Sequence, residues 1–382
     1  MVRYLTERPA AQPKVGGGPL VPLRSSEYSG LIKALKDLYG LGQNSLAGED
    51  CEELTSKILE SRKKGLAAVL DKAGIEIALV NTCELRRELD PRRFRWVPFA
   101  DQFLYPLKRS NTYLRAKASW KFERFEKELD FAYQKAGVKP ETLEDYVSFV
   151  EDQLKEYRRR GAVAVKLWSA FFRSLSFTKG AESAAKEVFS KYASKRKIKE
   201  EQYTKLQDFI AFKILSSCAE LDLPVHVHVG FGLATKIISL GFSSPLNLEN
   251  IMQHEDLEKL KVVLIHGGYP YVRESGSLAG MNDNVFIDFS WLPVLIPPHD
   301  LSYILREWIA WKLDEKLLFG TDAVDTPWAT DELLCVYGAE KARDALTLAL
   351  SGMVTDSSLT EEEVTMIAER VMRENALEIH GL

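Results

Sequence analysis

The chain has 382 residues, 46% hydrophobic and 28% charged, an ordinary globular composition long enough to bury a large core. Lys and Arg number 51 against 55 Asp and Glu, a net charge of −4, which argues against a general nucleic-acid binder. No run approaches ~18 uninterrupted apolar residues, and the opening MVRYLTERPAAQPKVGGGPL holds no apolar signal core. The expected compartment is therefore the cytoplasm, with no membrane and no nucleic-acid partner. Cys51, Cys83, Cys218 and Cys335 lie far apart with no CxxC pair and read as free thiols.

Residues 1–30 are rich in Pro and Gly and read as loop. Helical patterning begins near Leu31 in LIKALKDLYGL and resumes from Cys51 through LTSKILESRKKGLAAVLDKAG, with Gly74 as its stop. Short apolar, β-branched runs then follow: 75–82, 94–100, 162–168, 224–230, 261–267, 284–290 and 316–322. Amphipathic helical stretches separate them, including ETLEDYVSFVEDQLKEYRRRG and YTKLQDFIAFKILSSCAELD. Strand and helix in succession predict βα units and a parallel sheet, and nearly continuous apolar strands suit burial on both faces. No GxGxxG or GxxxxGK[ST] pattern supports a nucleotide fold. The expected architecture is α/β, a (β/α)8 TIM barrel over 31–382, with a polar, solvated helical insertion at about 178–201. The C-terminal EEEVTMIAERVMRENALEIHGL predicts a capped amphipathic helix ending at Gly381, with His380 at the surface.

Polar residues end several of these apolar runs. Lys166 follows AVAV, His226 and His228 lie in VHVHVG, His266 follows VVLI, and Asp322 follows LLFGT. In a parallel barrel the C-terminal strand ends converge on one mouth, where chemistry is assembled. Imidazoles and a carboxylate gathered there suit Zn²⁺ or a similar divalent metal. His226 and His228 share one strand face about 6.5 Å apart, so only one reaches the mouth. His228 is nearer the strand end; His226 is expected to fill the interior below it. Lys166 has two readings, a base or metal-bridging group, or an ion-paired lysine that orients a carboxylate such as Asp322.

With these residues in place, the chain resembles the amidohydrolase-related family of the metal-dependent amidohydrolase superfamily. It is most similar to the branch that includes the N-terminal domain of FluG and bacterial TIM-barrel metal-dependent hydrolases. The stretches that carry the resemblance are VAVKLWSAFFRSL, LPVHVHVGFG, SPLNLENIM, the block from VVLIHGGYPYVRE to FIDFSW, LLFGTDA and RVMRENALEIHGL. The resemblance implies a divalent metal, zinc or manganese, at the barrel mouth, activating water against a carbonyl. It implies His228, His266 and Asp322 as metal ligands, with Asp322 also moving the proton of the water and His266 polarising substrate. Lys166 falls at this branch's fourth-strand lysine and counts with them as catalytic. Arg173, near an arginine position although the spacing is one residue longer, is expected to bind substrate. Tyr269, Tyr271, Arg273 and Glu274 fall in the loop after the histidine strand, where Tyr269 and Arg273 are expected to line the pocket.

One departure stands out. The family opens on a strand ending in His-x-His, yet no histidine here precedes His226. Either the chain starts downstream of that strand or the site is depleted; the first is the expectation. The expected function is a metal-dependent hydrolase cleaving a C–N or C–O carbonyl bond of a small polar substrate, with a homodimer as the expected assembly. The alternatives are a non-oxidative decarboxylase on the same fold and a metal-depleted binding or regulatory barrel.

Overall fold

A computed structural model describes residues 34–40, 56–61, 64–84, 89–107, 119–194, 196–232, 238–324 and 331–382. The expected loop over 1–30 and Cys51 lie outside the described residues. In chain order the principal elements are α1 (Leu66–Ala73), β1 (Ala78–Asn81), β2 (Phe94–Val97), α2 (Ser119–Ala136), α3 (Leu143–Arg159) and β3 (Val165–Leu167). There follow α4 (Glu182–Ala193), α5 (Glu200–Glu220), β4 (Val225–His228), β5 (Val262–Ile265), α6 (Val272–Met281) and β6 (Val285–Asp288). The chain continues through α7 (Pro298–Ala310), β7 (Leu317–Leu318), α8 (Asp331–Thr355), α9 (Glu361–Glu369) and α10 (Asn375–His380). Each expected strand is found inside the apolar run that announced it. The strands are shorter than the runs because tight 3₁₀ turns, Asp101–Leu104, Ser169–Phe171 and His266–Gly268, take over near their C-terminal ends.

The described residues divide into two compact units. The larger takes in Leu79–Gly232, Ile237–Ile287 and Asn375–Leu382 and holds the parallel sheet. Bridges Trp96–Ala162 and Phe99–Lys166 join β2 to β3 in parallel. Strand β3 pairs with β4 in the register Lys166–His226, β4 with β5 in the register His228–Ile265, and β5 with β6 in the register Val262–Val285, all parallel. Leu167, Val227 and Val262 face the helical layer, where Phe177, Leu215, Leu248, Ile251 and Met252 enclose a small apolar gap with them. Side chains alternate along a strand, so His226 and His228 occupy the opposite face of the sheet.

Helix α3 shows why the local sequence folds as it does. Thr142 accepts a hydrogen bond from the Asp145 N–H, and the Asp145 carboxylate accepts one from the Thr142 N–H, a reciprocal cap. Acidic Glu144 and Asp145 open the helix and Arg158 and Arg159 close it, each favourable to the helix dipole. Leu143, Tyr146, Phe149, Val150, Leu154 and Tyr157 make its buried stripe.

The insertion at 178–201 is helical and mostly exposed, and it adds a buried stripe that the sequence did not announce. It forms α4, whose Ala185, Val188 and Phe189 are buried, with the Phe189 ring 5.9 Å from that of Tyr146. Its charges hid an apolar stripe: Lys186 pairs with Glu144 and Glu182 on the exposed side while the other side packs. His380 is also corrected. It lies buried at the end of α10 rather than at the surface, because the final turn closes against β4.

The second unit takes in Met1–Ala78 and Asp288–Glu374. Gly74 ends α1 with a left-handed φ of 63°, as its place in the sequence required, and Arg343 of α8 donates to the Ala73 and Gly74 carbonyls. The Phe289 N–H donates to the Leu318 carbonyl of β7, and the Phe319 N–H to that of Val371. A reciprocal cap between Thr360 and Glu363 starts α9, and a π-helical stretch, Arg370–Glu374, leads out of it. The expected capped C-terminal helix is present from Glu361 to His380, with this π-helical segment inside it.

Candidate metal centre

Two imidazoles meet in the larger unit. His228 is the last residue of β4, buried, and level with Ile265 in the pairing with β5. If β5 simply continued, His266 would point to the face opposite His228, because side chains alternate. It does not continue. His266 has a φ of +65°, and Gly267 and Gly268 follow at +57° and +67°, so the chain turns at once. Histidine tolerates this region better than bulky or branched residues do. The turn leaves the His266 ring centroid 4.8 Å from that of His228, the planes crossing at 72°.

Close backbone approach fixes the turns after β4 and β5. A Cβ on Gly230, whose φ is +71°, would lie 2.3 Å from the carbonyl oxygens of Gly268 and Tyr269. The Phe231 N–H donates to the Tyr269 carbonyl at 2.6 Å, and the Gly230 N–H to the Ser243 carbonyl at 2.7 Å. Phe171, from the turn after β3, places its ring 4.6 Å from that of His228. A Cβ on Gly232 would meet Phe171 Cζ at 2.6 Å and His228 Nε2 at 3.1 Å, so only glycine leaves that nitrogen and that ring their present room.

Below His228, the His226 Nε2 lies 2.8 Å from His380 Nε2. Burial first, then His380 and Lys166, hold His226 well below the ordinary histidine range. Lys166 is buried and in register with His226, one pleat from the level of His228. It therefore shares the inner face with both histidines.

The remaining expected residues fall as follows. Arg173 is buried, pairs with Asp208, and donates to the Ser174 carbonyl and to Gln207 Oε1, with its guanidinium 4.5 Å from the Phe177 ring centroid. Those contacts tie Arg173 to helix α5. Tyr269 and Tyr271 are half-buried in the turn before α6. Arg273 and Glu274 correct the loop reading, since both stand in the first turn of α6, with Arg273 exposed. Asp322 belongs to the smaller unit, exposed, after β7, with a φ of +50°. Near it in sequence, Gly320 is held against Asp288: a Cβ there would come within 2.5 Å of Asp288 Oδ2.

Sequence reasoning missed Asp101, Phe171 and Gly232. Asp101 follows the apolar run of β2 as Lys166 follows AVAV, and that parallel was a signal. Phe171 and Gly232 were inside the quoted stretches but carry no ionisable group to mark them.

Two imidazoles on one tetrahedral ion, with metal–nitrogen bonds of about 2.0–2.1 Å, place their ring centroids about 5 Å apart. His228 and His266 fit a divalent ion on that measure. Among the described residues no group of three or more His, Cys, Asp or Glu is assembled.

The amidohydrolase family model matches residues 194–382, the portion that carries β4, β5 and both imidazoles. Protein fluG of Emericella nidulans is 27% identical over 163 residues, 42% of this chain and 17% of that protein. The chain thus spans less than a fifth of the curated relative it matches. Among solved structures, a proposed metal-dependent hydrolase from Lactobacillus casei has a TM-score of 0.66 at 16% identity, over 94% of this chain and 85% of that one. The uronate isomerase of Thermotoga maritima gives 0.65 at 14% identity, covering 94% and 83%. The glucuronate isomerase of Caulobacter crescentus gives 0.66 at 12%, covering 94% and 76%. At these identities the likeness establishes the fold alone, a TIM barrel. Among the described residues the seven strands read from the sequence are present, β1 paired with β2 and β3–β7 in one five-stranded sheet. No described helix is long and apolar enough to cross a membrane.

Proposed function

We propose that the protein is a metal-dependent hydrolase that cleaves a C–N or C–O carbonyl bond of a small polar substrate. The observation that carries this reading is the 4.8 Å approach of the His228 and His266 rings from adjacent strand ends. It is joined by the amidohydrolase match over the segment that contains them. When bound, a divalent ion, zinc or manganese, supplies a Lewis acid that activates water and polarises the electrophile.

The chain's own residues do the rest. His228 and His266 hold the ion, and the left-handed turn at His266 fixes the direction of its ring. Asp322 is proposed, from its place in the FGTDA run alone, as the carboxylate that accepts the proton of the attacking water. Lys166 contributes positive charge to the inner face one pleat below His228. Tyr269 and Arg273 border the turn and helix that follow His266 and are proposed to meet substrate.

The test is a panel of amides, lactones and esters with the purified protein loaded with Zn²⁺ or Mn²⁺. Turnover abolished by Asp322→Asn and by His266→Gln supports the reading. Absence of turnover across the panel, or full activity in both variants, overturns it.

A further inference from the structure

Asp101 is a fully buried carboxylate that the proposed chemistry does not use. Strand β2 runs on past its last ladder residue: the Lys166 N–H donates to the Pro98 carbonyl at 2.8 Å, and the Ala100 N–H to the Lys166 carbonyl at 3.0 Å. The next residue is Asp101. Its two carboxylate oxygens each lie 2.8 Å from the Trp168 N–H, and its Oδ1 accepts from Ser169 Oγ at 3.0 Å. Both donors belong to the first residues after β3. The Phe171 N–H then donates to the Trp168 carbonyl, and those of Phe172 and Arg173 to Ser169. Asp101 therefore anchors the start of the very turn that carries Phe171 to the His228 ring, 4.6 Å away, and into the space that Gly232 leaves open.

A buried carboxylate taking charge-assisted bonds from a backbone N–H and a hydroxyl is costly to disturb. Nothing in the packing of β2 itself requires an acid there, since the flanking Ala100, Phe103 and Leu104 are apolar and buried. We propose that Asp101 is a positioning residue: through the Trp168–Phe171 turn it sets the rotamer of His228 and so the direction in which that imidazole presents Nε2. Outer groups that orient a metal-binding histidine typically change metal affinity 10- to 100-fold when removed. The consequence for metal rests on the function proposed above; the consequence for the His228 ring does not.

The experiment compares wild type with Asp101→Asn, Ser169→Ala and Phe171→Leu. The first readout is the ring-proton signals of ¹³C-labelled histidine in metal-free protein, with His228 assigned by its loss in His228→Gln. Phe171 imposes a ring-current shift on His228, so each variant is expected to move that signal while the His254 and His299 signals stay in place. The second readout is Co²⁺ titration followed by visible absorption, with affinity expected to fall about tenfold or more. If Asp101→Asn fails to fold, Ser169→Ala and Phe171→Leu still report. Unmoved His228 signals in the folded variants, with only the unfolding midpoint lowered, overturn the proposal. A wild type that takes no Co²⁺ while its variants move the His228 signal upholds the positioning role and removes the metal-dependent reading.

Discussion

The Nε2 atoms of His226 and His380 lie 2.8 Å apart, linking β4 to the last turn of the chain. His380 Nδ1 lies 2.7 Å from the Ala376 carbonyl, so Nδ1 carries a proton. Burial, opposed by that carbonyl bond and aided by Lys261, lowers the His380 pKa to about 4, so its Nε2 is bare at neutral pH and accepts from His226 Nε2–H. An unfolded imidazole titrates near 6.5. The folded state therefore binds fewer protons than the unfolded one between those values, and stability falls with pH across that window. Between pH 7.5 and 5, His380 alone should contribute a loss on the order of 2 kcal/mol, with His226 adding in the same direction. Urea unfolding at the two pH values measures this, and His380→Gln should flatten the slope. An unchanged slope in that variant would contradict the assignment.

Glu332, in the first turn of α8, makes the opposite prediction at acid pH. Burial alone would raise its pKa, but bonds from Lys72 at 2.8 Å, Ser61 at 2.7 Å and Tyr39 at 2.9 Å outweigh burial and hold it below the usual carboxylate range. A depressed carboxylate stabilises the fold above its unfolded pKa and loses that contribution as pH falls through its folded pKa. Glu332→Gln should cost about 2 kcal/mol at pH 7, and the gap to wild type should narrow toward pH 3. Denaturant midpoints at both pH values check it.

Arg173 and Asp208 are a buried ion pair, and Asp208 also accepts from Thr178 Oγ1 at 2.9 Å. Removing one partner leaves a buried charge uncompensated, which costs roughly 3–5 kcal/mol. Arg173→Met is therefore expected to lower stability by that order. A residue that binds substrate would instead raise KM at unchanged stability, so unfolding curves and kinetics of one variant separate the two roles.

Gly232→Ala should displace Phe171 and press on His228 Nε2 without replacing any ionisable group. Metal affinity is expected to fall about tenfold. Gly137→Ala is the control: its φ is +67°, but a Cβ there meets nothing within 4 Å. Metal titration of both variants decides, and equal affinities would count against the steric account.

The strand order and the two histidines were legible because period-two and apolar runs report which face a residue takes. β4 displays this directly, with Val225 and Val227 on one side and His226 and His228 on the other. What stayed hidden depends on backbone dihedrals and on long-range contacts. Nothing in VVLIHGG shows that His266 leaves the strand at a positive φ and so reverses the face it would have taken. His380 read as a surface residue because its partner stands 154 positions earlier in the chain. The Arg173–Asp208 pair was likewise hidden, because 35 positions separate its two partners. The insertion at 178–201 read as solvated because lysines and glutamates outnumber the few apolar residues that make its buried stripe.

The central claim is that His228 and His266 share one divalent ion. Calorimetric titration of Zn²⁺ into wild type, His228→Gln and His266→Gln tests it most directly. The account predicts saturable binding by wild type and at least a hundredfold weaker binding in each variant, with both still folded. Undiminished affinity in either variant, or no binding by wild type, would contradict it.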